Sequence, residues 1–321
     1  MSNASVGFSG RHREISQTPM GKGHKTNRSV YQKEEIVMTM NIVASGQIIG
    51  AEVHGLDLSR DMDDATFTEL ERQFYDRSVL CLRNQSLSPK DLLAFAQRLG
   101  DVEDNVLSHY SHPEYPNVLI ISNIKENGRD VGYADAGRVW HSDGSYRQRP
   151  VGITMLYAIE VPEENGQTLG HTSFASTWAA YDGLSDTVKS KLEGLEAMHQ
   201  VAGRRKALGT SKPEDEAAYE QQPVVIHPVV RVHPHTGRKY LFVNRGECQG
   251  IVGMDDAEAQ ALIQELADEI PNPAYRYEHY WQVGDLLVWD NRAVQHVANF
   301  DYHWPEHRRL MHRVTISEPT A

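Results

Sequence analysis

Cysteine is nearly missing: this 321-residue chain has two, Cys81 and Cys248, far apart and in no CxxC pair. Neither a disulfide framework nor a thiolate zinc site is indicated, and a reducing cytoplasm is the expected compartment. No apolar run approaches the ~18 residues of a membrane span, and the polar first thirty residues lack the hydrophobic region of a secretory signal. Basic charge is also scarce. Lys plus Arg is 32 against 44 for Asp plus Glu, a net charge of −12, which repels phosphate and argues against nucleic acid or an anionic membrane as partner. There is no GxGxxG after a strand and no GxxxxGK(S/T), so dinucleotide and P-loop readings lack their phosphate cradle. No solenoid-length repeat is present.

What remains is an ordinary globular composition, 40% hydrophobic and 24% charged, large enough for a sizeable core. Residues 1–37 stand apart, with six basic and three acidic residues in an aperiodic Ser, Gly, Lys and Arg-rich stretch. They read as a flexible N-terminal tail before a single domain over residues 38–321.

Within that domain, Phe67, Leu70 and Phe74 have the spacing of a surface helix over Asp63 to Arg77, followed by a strand at Val79 to Leu82. Ser88-Pro89 is an N-cap and N1 pair, and Gly100 ends the helix that they open. Trp178 to His199 and Asp255 to Ile270 also read as helical. Strands are expected at Val118 to Ser122, Gly152 to Val161, Val224 to His227, Val229 to Val232, Tyr240 to Asn244, Asp285 to Trp289 and Met311 to Ile316. Strands outnumber helices without βαβ alternation, so the fold expected is mainly β with flanking helices, an antiparallel sandwich or jelly roll.

Val139-Trp140-His141-Ser142-Asp143-Gly144 is the sharpest local signal. Two apart on an extended segment, His141 and Asp143 project from one face and can reach a common point. A third donor is available at His296, after the strand running into Trp289-Asp290-Asn291-Arg292. Two His and one carboxylate make a facial triad that leaves coordination positions free for a co-substrate and dioxygen. HxD alone is often a surface pair, but Arg309 and Arg313 add to it. Four apart on a strand, they share a face with Cα atoms ~13 Å apart, and inward guanidiniums require anions.

Trp140-His141-Ser142-Asp143, Asn165-Gly166-Gln167-Thr168-Leu169, Trp289-Asp290-Asn291-Arg292 with Gln295-His296, and His307-Arg308-Arg309-Leu310-Met311-His312-Arg313 occur in that order. Together they resemble the 2-oxoglutarate-dependent dioxygenases related to taurine dioxygenase and 2,4-dichlorophenoxyacetate dioxygenase, from about Asn41 to Pro319. The resemblance implies a double-stranded β-helix core and Fe(II) held by His141, Asp143 and His296. It also implies 2-oxoglutarate gripped by Arg309 with help from Thr168, and Arg313 as partner to a small anionic substrate. O2 would be consumed, succinate and CO2 released, and the alcohol formed would collapse where its carbon also bears oxygen or sulfur. Analogy with the family suggests a homo-oligomer.

Two positions depart from the family pattern. Gly170 and His171 follow Leu169 where an aromatic or small apolar residue is commoner, and Asn105 stands where taurine dioxygenase has a substrate histidine. Both weaken a taurine assignment and leave the mechanism untouched. Asp143 itself argues against a halogenase, since halide coordination needs that carboxylate replaced by Gly or Ala. Trp140 and Trp289 are expected to be packing, and His109, His112, His199, His312 and Cys248 are expected to have no direct role. The alternative reading is a non-catalytic metal-binding jelly roll or sensor, disfavoured because a structural zinc is usually closed by four ligands.

Overall fold

A computed structural model describes residues 40–201 and 220–319, so the expected tail at 1–37 lies outside the described residues. The long sheet has seven strands in the order Asn41–Ala44, Ala51–His54, Val79–Leu82, Leu286–Asp290, Val151–Glu160, Leu310–Ser317 and Leu119–Ser122. All its neighbours are antiparallel except Ala51–His54 with Val79–Leu82. A three-stranded sheet, Arg276–His279, Thr172–Ser176 and Val294–Ala298, supplies the second layer.

Side-chain alternation explains how the layers meet. From the strand Leu286–Asp290, Leu287 and Trp289 enter a core shared with Phe174, Tyr277 and Val294 of the short sheet. Leu286 and Val288 point the opposite way, into a cluster with Leu70, Phe74, Leu92 and Phe95 of the helices Asp64–Arg77 and Pro89–Leu99. A strand covered on both faces must be apolar at every position, which is why these segments read as unbroken hydrophobic runs. The chain is mainly β with flanking helices, a jelly roll, as the sequence led one to expect.

The helix starts follow their caps. Asp63 Oδ1 accepts from the Thr66 N–H at 2.9 Å, and Ser88 and Asp91 form a reciprocal capping box. The expected helix over Trp178 to His199 is instead two short helices, Thr177–Gly183 and Asp186–Leu192, then a strand, Glu196–His199. Ser185 caps a new helix, and Gly194 turns the chain at φ +74. The last four residues then pair with Val225–Pro228 and Cys248–Ile251, so tertiary pairing overrides a helical pattern. No helix among the described residues is long and apolar enough to cross a membrane.

Candidate metal centre and its cavity

His141 joins the short sheet by a backbone bridge: its N–H donates to His296 O at 3.2 Å and the His296 N–H donates to His141 O at 2.9 Å. This bridge is what brings the early motif to the late one. The ligand atoms of His141, Asp143 and His296 lie within 4.8 Å of one another, and all three side chains are buried. Gly144 then turns the chain at φ +63, and a Cβ there would come within 2.6 Å of Val151 Cγ2.

The three groups are arranged as a cation needs. His141 Nδ1 lies 2.8 Å from Val139 O, which fixes the proton on Nδ1 and leaves the Nε2 lone pair facing Asp143 Oδ1 at 3.6 Å. Burial, together with the neighbouring His141, pushes His296 well below the usual imidazole range, so it is neutral. Its Nδ1 is buried without a hydrogen-bond partner among the described residues. Burial would raise Asp143, but Arg313 and the two imidazoles outweigh it and hold the carboxyl well below its ordinary value. Two imidazoles and an ionised carboxylate converging on one point suit a divalent metal.

Asp143 is held on several sides. Its N–H donates to Asn291 Oδ1 at 3.1 Å, and its Oδ2 accepts from the Thr154 hydroxyl at 2.7 Å. Asn291 in turn donates to Thr154 Oγ1 at 2.9 Å and accepts from Trp289 Nε1 at 3.1 Å. Neither Thr154 nor Asn291 had been singled out from the sequence, although Asn291 lies inside a quoted motif.

The three residues line a cavity of about 130 Å³ whose walls also include Arg309, Arg313, Tyr302, Thr172 and Trp289. Arg309 is 3% exposed, donates from Nη1 to Gly170 O at 2.6 Å, and has no carboxylate within 4.0 Å among the described residues. Burial lowers its pKa, the response of a cation short of a counter-charge. Arg313 Nη2 forms an ion pair with Asp143 Oδ1 at 2.7 Å. A bulge at Leu310/Met311 lies between the two arginines, yet both reach the cavity.

Thr168 is half-buried in the hairpin Glu163–Glu164 with Gln167–Thr168 and is not among the cavity's lining residues; Thr172 is. Asn105 lines the cavity, its amide donating to Ser111 Oγ and Pro116 O. Trp289 lies beside the site, its ring 4.8 Å from that of His296, whereas Trp140 packs into a separate core with Leu241 and Ile263. His109, His112, His199 and His312 are not in the donor cluster.

Residues 41–315 match the model of the family described as "Taurine catabolism dioxygenase TauD, TfdA family". Among curated proteins, the chain is 34% identical over 269 residues to the alpha-ketoglutarate-dependent 2,4-dichlorophenoxyacetate dioxygenase of Cupriavidus pinatubonensis, covering 80% of this chain and 92% of that protein. It is 29% identical over 290 residues to the alkylsulfatase of Acinetobacter baylyi, covering 84% and 82%. A crystal structure described as AAD-2 in complex with Mn(II) and N-oxalylglycine superimposes with a TM-score of 0.74 at 28% identity, covering 88% of this chain and 99% of that one.

Proposed function

We propose, from the premise that this chain belongs to the taurine catabolism dioxygenase TauD, TfdA family and is an alpha-ketoglutarate (2-oxoglutarate)-dependent dioxygenase, that it hydroxylates a small organic anion in this cavity. The observation that carries the reading is the pairing of Arg309, a buried guanidinium without an acidic partner, with the His141, Asp143 and His296 donor set on one cavity. Fe(II) and 2-oxoglutarate supply the oxygen chemistry when bound: O2 and the oxo acid give succinate and CO2 while a substrate C–H bond becomes C–OH.

His141, Asp143 and His296 would hold the metal, and the fixed Nδ1–H of His141 keeps its other nitrogen available for it. Arg309 would pair with the distal carboxylate of 2-oxoglutarate, a charge-assisted contact that fixes its orientation. Thr168, two residues before the Gly170 carbonyl that Arg309 grips, would assist from the hairpin. Arg313 would meet the anionic end of the substrate, and Leu119, Ile121, Leu156 and Trp289 would cover its apolar body. Such an apolar wall, with Arg313 beside the donor set and Arg147 already paired with Glu103, suits an aryloxyalkanoate or an alkyl sulfate better than taurine, and the names of the relatives point the same way. Hydroxylation beside an ether or sulfate oxygen leaves a product that collapses with C–O cleavage.

Anaerobic addition of Fe(II) and 2-oxoglutarate should give a visible charge-transfer band that His141→Ala or Asp143→Ala abolishes. A folded, iron-loaded protein with no band would overturn the proposal. A succinate-release screen over taurine, alkyl sulfates, alkanesulfonates and phenoxyalkanoates then identifies the substrate class.

A further inference from the structure

A second group of three donor atoms lies away from this cavity. The Cys81 thiol, the His279 imidazole and the Asp285 carboxylate are all buried, and their ligand atoms lie within 4.8 Å of one another. They come from three places in the chain: Cys81 from the strand Val79–Leu82, His279 from the end of Arg276–His279, and Asp285 from the residue before Leu286–Asp290. We propose that these three side chains hold a structural divalent cation of the zinc class, which ties the short sheet to the long one.

The spacing fits such an ion. His279 Nε2 and Asp285 Oδ2 are 3.3 Å apart. Two ligands ~2.0–2.1 Å from a tetrahedral zinc are separated by about 3.3 Å. His279 Nε2 and Asp285 Oδ1 are both buried without a hydrogen-bond partner among the described residues. His279 is 1% exposed and Asp285 0%, and groups so deeply buried are normally satisfied. One cation between them answers both at once.

The surroundings prepare the donors. The Tyr277 hydroxyl lies 3.3 Å from His279 Nδ1, leaving Nε2 for the cluster. Arg83 Nη1 and the Gln282 N–H donate to Asp285 Oδ2 at 2.5 and 2.8 Å, which orients the carboxylate and leaves Oδ1 free to complete a fourth position by bidentate binding. Arg83 Nη2 also donates to Glu52 Oε1 at 2.6 Å. Two carboxylates against one guanidinium leave a single excess negative charge. Loss of the thiol proton adds another, so a dication brings the group to neutrality, the arrangement that costs least in a buried site.

The donor set of sulfur, imidazole nitrogen and carboxylate oxygen selects a borderline d-block ion over magnesium or calcium. None of the three residues lines the cavity, so the ion would be enclosed as the strands close. No CxxC spacing announces such a site, because Cys81 and His279 arrive from different strands and Asp285 from the turn before a third.

The test uses the full chain carrying Asp143→Ala, which removes a donor from the first centre, produced in medium with Co(II) in place of iron and zinc. One equivalent of cobalt should survive desalting, with a near-ultraviolet sulfur-to-cobalt charge-transfer band. Cys81→Ser or His279→Gln in that background should remove the band, and Cys248→Ser should leave it. Folded protein that retains no cobalt, retains it without the thiolate band, or keeps the band after Cys81→Ser would overturn the inference. None of these readouts depends on turnover, so the dioxygenase reading stands or falls separately.

Discussion

Arg313 Nη2 lies 2.7 Å from Asp143 Oδ1, so the carboxylate placed to hold a metal already carries a guanidinium on one of its oxygens. Arg309, four residues earlier, has no such partner among the described residues and is tied to a backbone carbonyl at 2.6 Å. The two cations therefore stand in different electrostatic positions on one cavity, and replacing them should have different kinetic signatures. A hydrogen bond to a charged group contributes about 1.5–3 kcal/mol, or roughly 10- to 100-fold in affinity. Arg309→Ala should raise KM for 2-oxoglutarate by about that factor and leave KM for the organic substrate nearly unchanged. Arg313→Ala should do the reverse. Equal losses for both ligands in both variants would refute the division.

The structure gives a reason for glycine at position 170. Its φ is +71, and a Cβ would collide with Arg309 Nη1 and the Tyr302 ring. Its N–H also donates to Asp301 Oδ1 at 2.6 Å. Gly170→Ala is expected to push the guanidinium off its carbonyl anchor, raising KM for 2-oxoglutarate several-fold, with about 1 kcal/mol lost to the backbone. An unchanged KM would mean that Arg309 is positioned from elsewhere.

The central strands of the long sheet were legible because they are apolar on both faces, whereas Asn41–Ala44 and Ala51–His54, exposed or alternating, were not. Val79 to Leu82 and Asp285 to Trp289 could be read as strands from composition alone. Thr172–Ser176 could not, since Thr-Ser-Phe-Ala-Ser has one large apolar residue and takes its strand form from two neighbours. The proposed metal donors could be found because HxD places two of them on one face, but their meeting with His296 depends on a backbone bridge that no spacing encodes. Thr154 was invisible for the same reason: it looks like any residue of a buried strand until Asp143 is beside it.

Acid should expose a second buried ion pair. Asp290 is 0% exposed and Arg292 2%, with Arg292 Nε and Nη2 donating to the two carboxylate oxygens at 2.7 and 2.8 Å and His233 Nε2 2.8 Å from Oδ2. Burial would raise this carboxyl, but Arg292 and His233 hold it far below its ordinary value. A carboxylate with a depressed folded pKa contributes stability above its unfolded value of about 3.9, and that contribution drains away as pH falls towards the folded value. Asp290→Asn leaves the guanidinium buried without its counter-charge and should cost about 3–5 kcal/mol at neutral pH. Below about pH 4 the gap from the wild type should narrow. Urea unfolding at pH 7 and pH 3 measures both, and a gap that widens in acid would refute the assignment.

Asn291 offers the sharpest separation between holding a metal and holding a fold. Its amide oxygen accepts from the Asp143 N–H and from Trp289 Nε1, while its amide nitrogen donates to the Thr154 hydroxyl that in turn donates to Asp143 Oδ2. One side chain thus fixes both the backbone and, through Thr154, one carboxylate oxygen of the proposed ligand. Groups that orient metal ligands in this way typically change affinity 10- to 100-fold when removed. Asn291→Ala should therefore weaken Fe(II) binding by about that factor, measured anaerobically, and also free the Trp289 indole N–H. Thr154→Val keeps the β-branched shape of a buried strand residue and removes only the hydroxyl, so it should reproduce the metal defect with a smaller loss of stability. If Thr154→Val binds iron like the wild type while Asn291→Ala does not, the backbone contact alone positions Asp143 and the relay through the threonine hydroxyl is refuted.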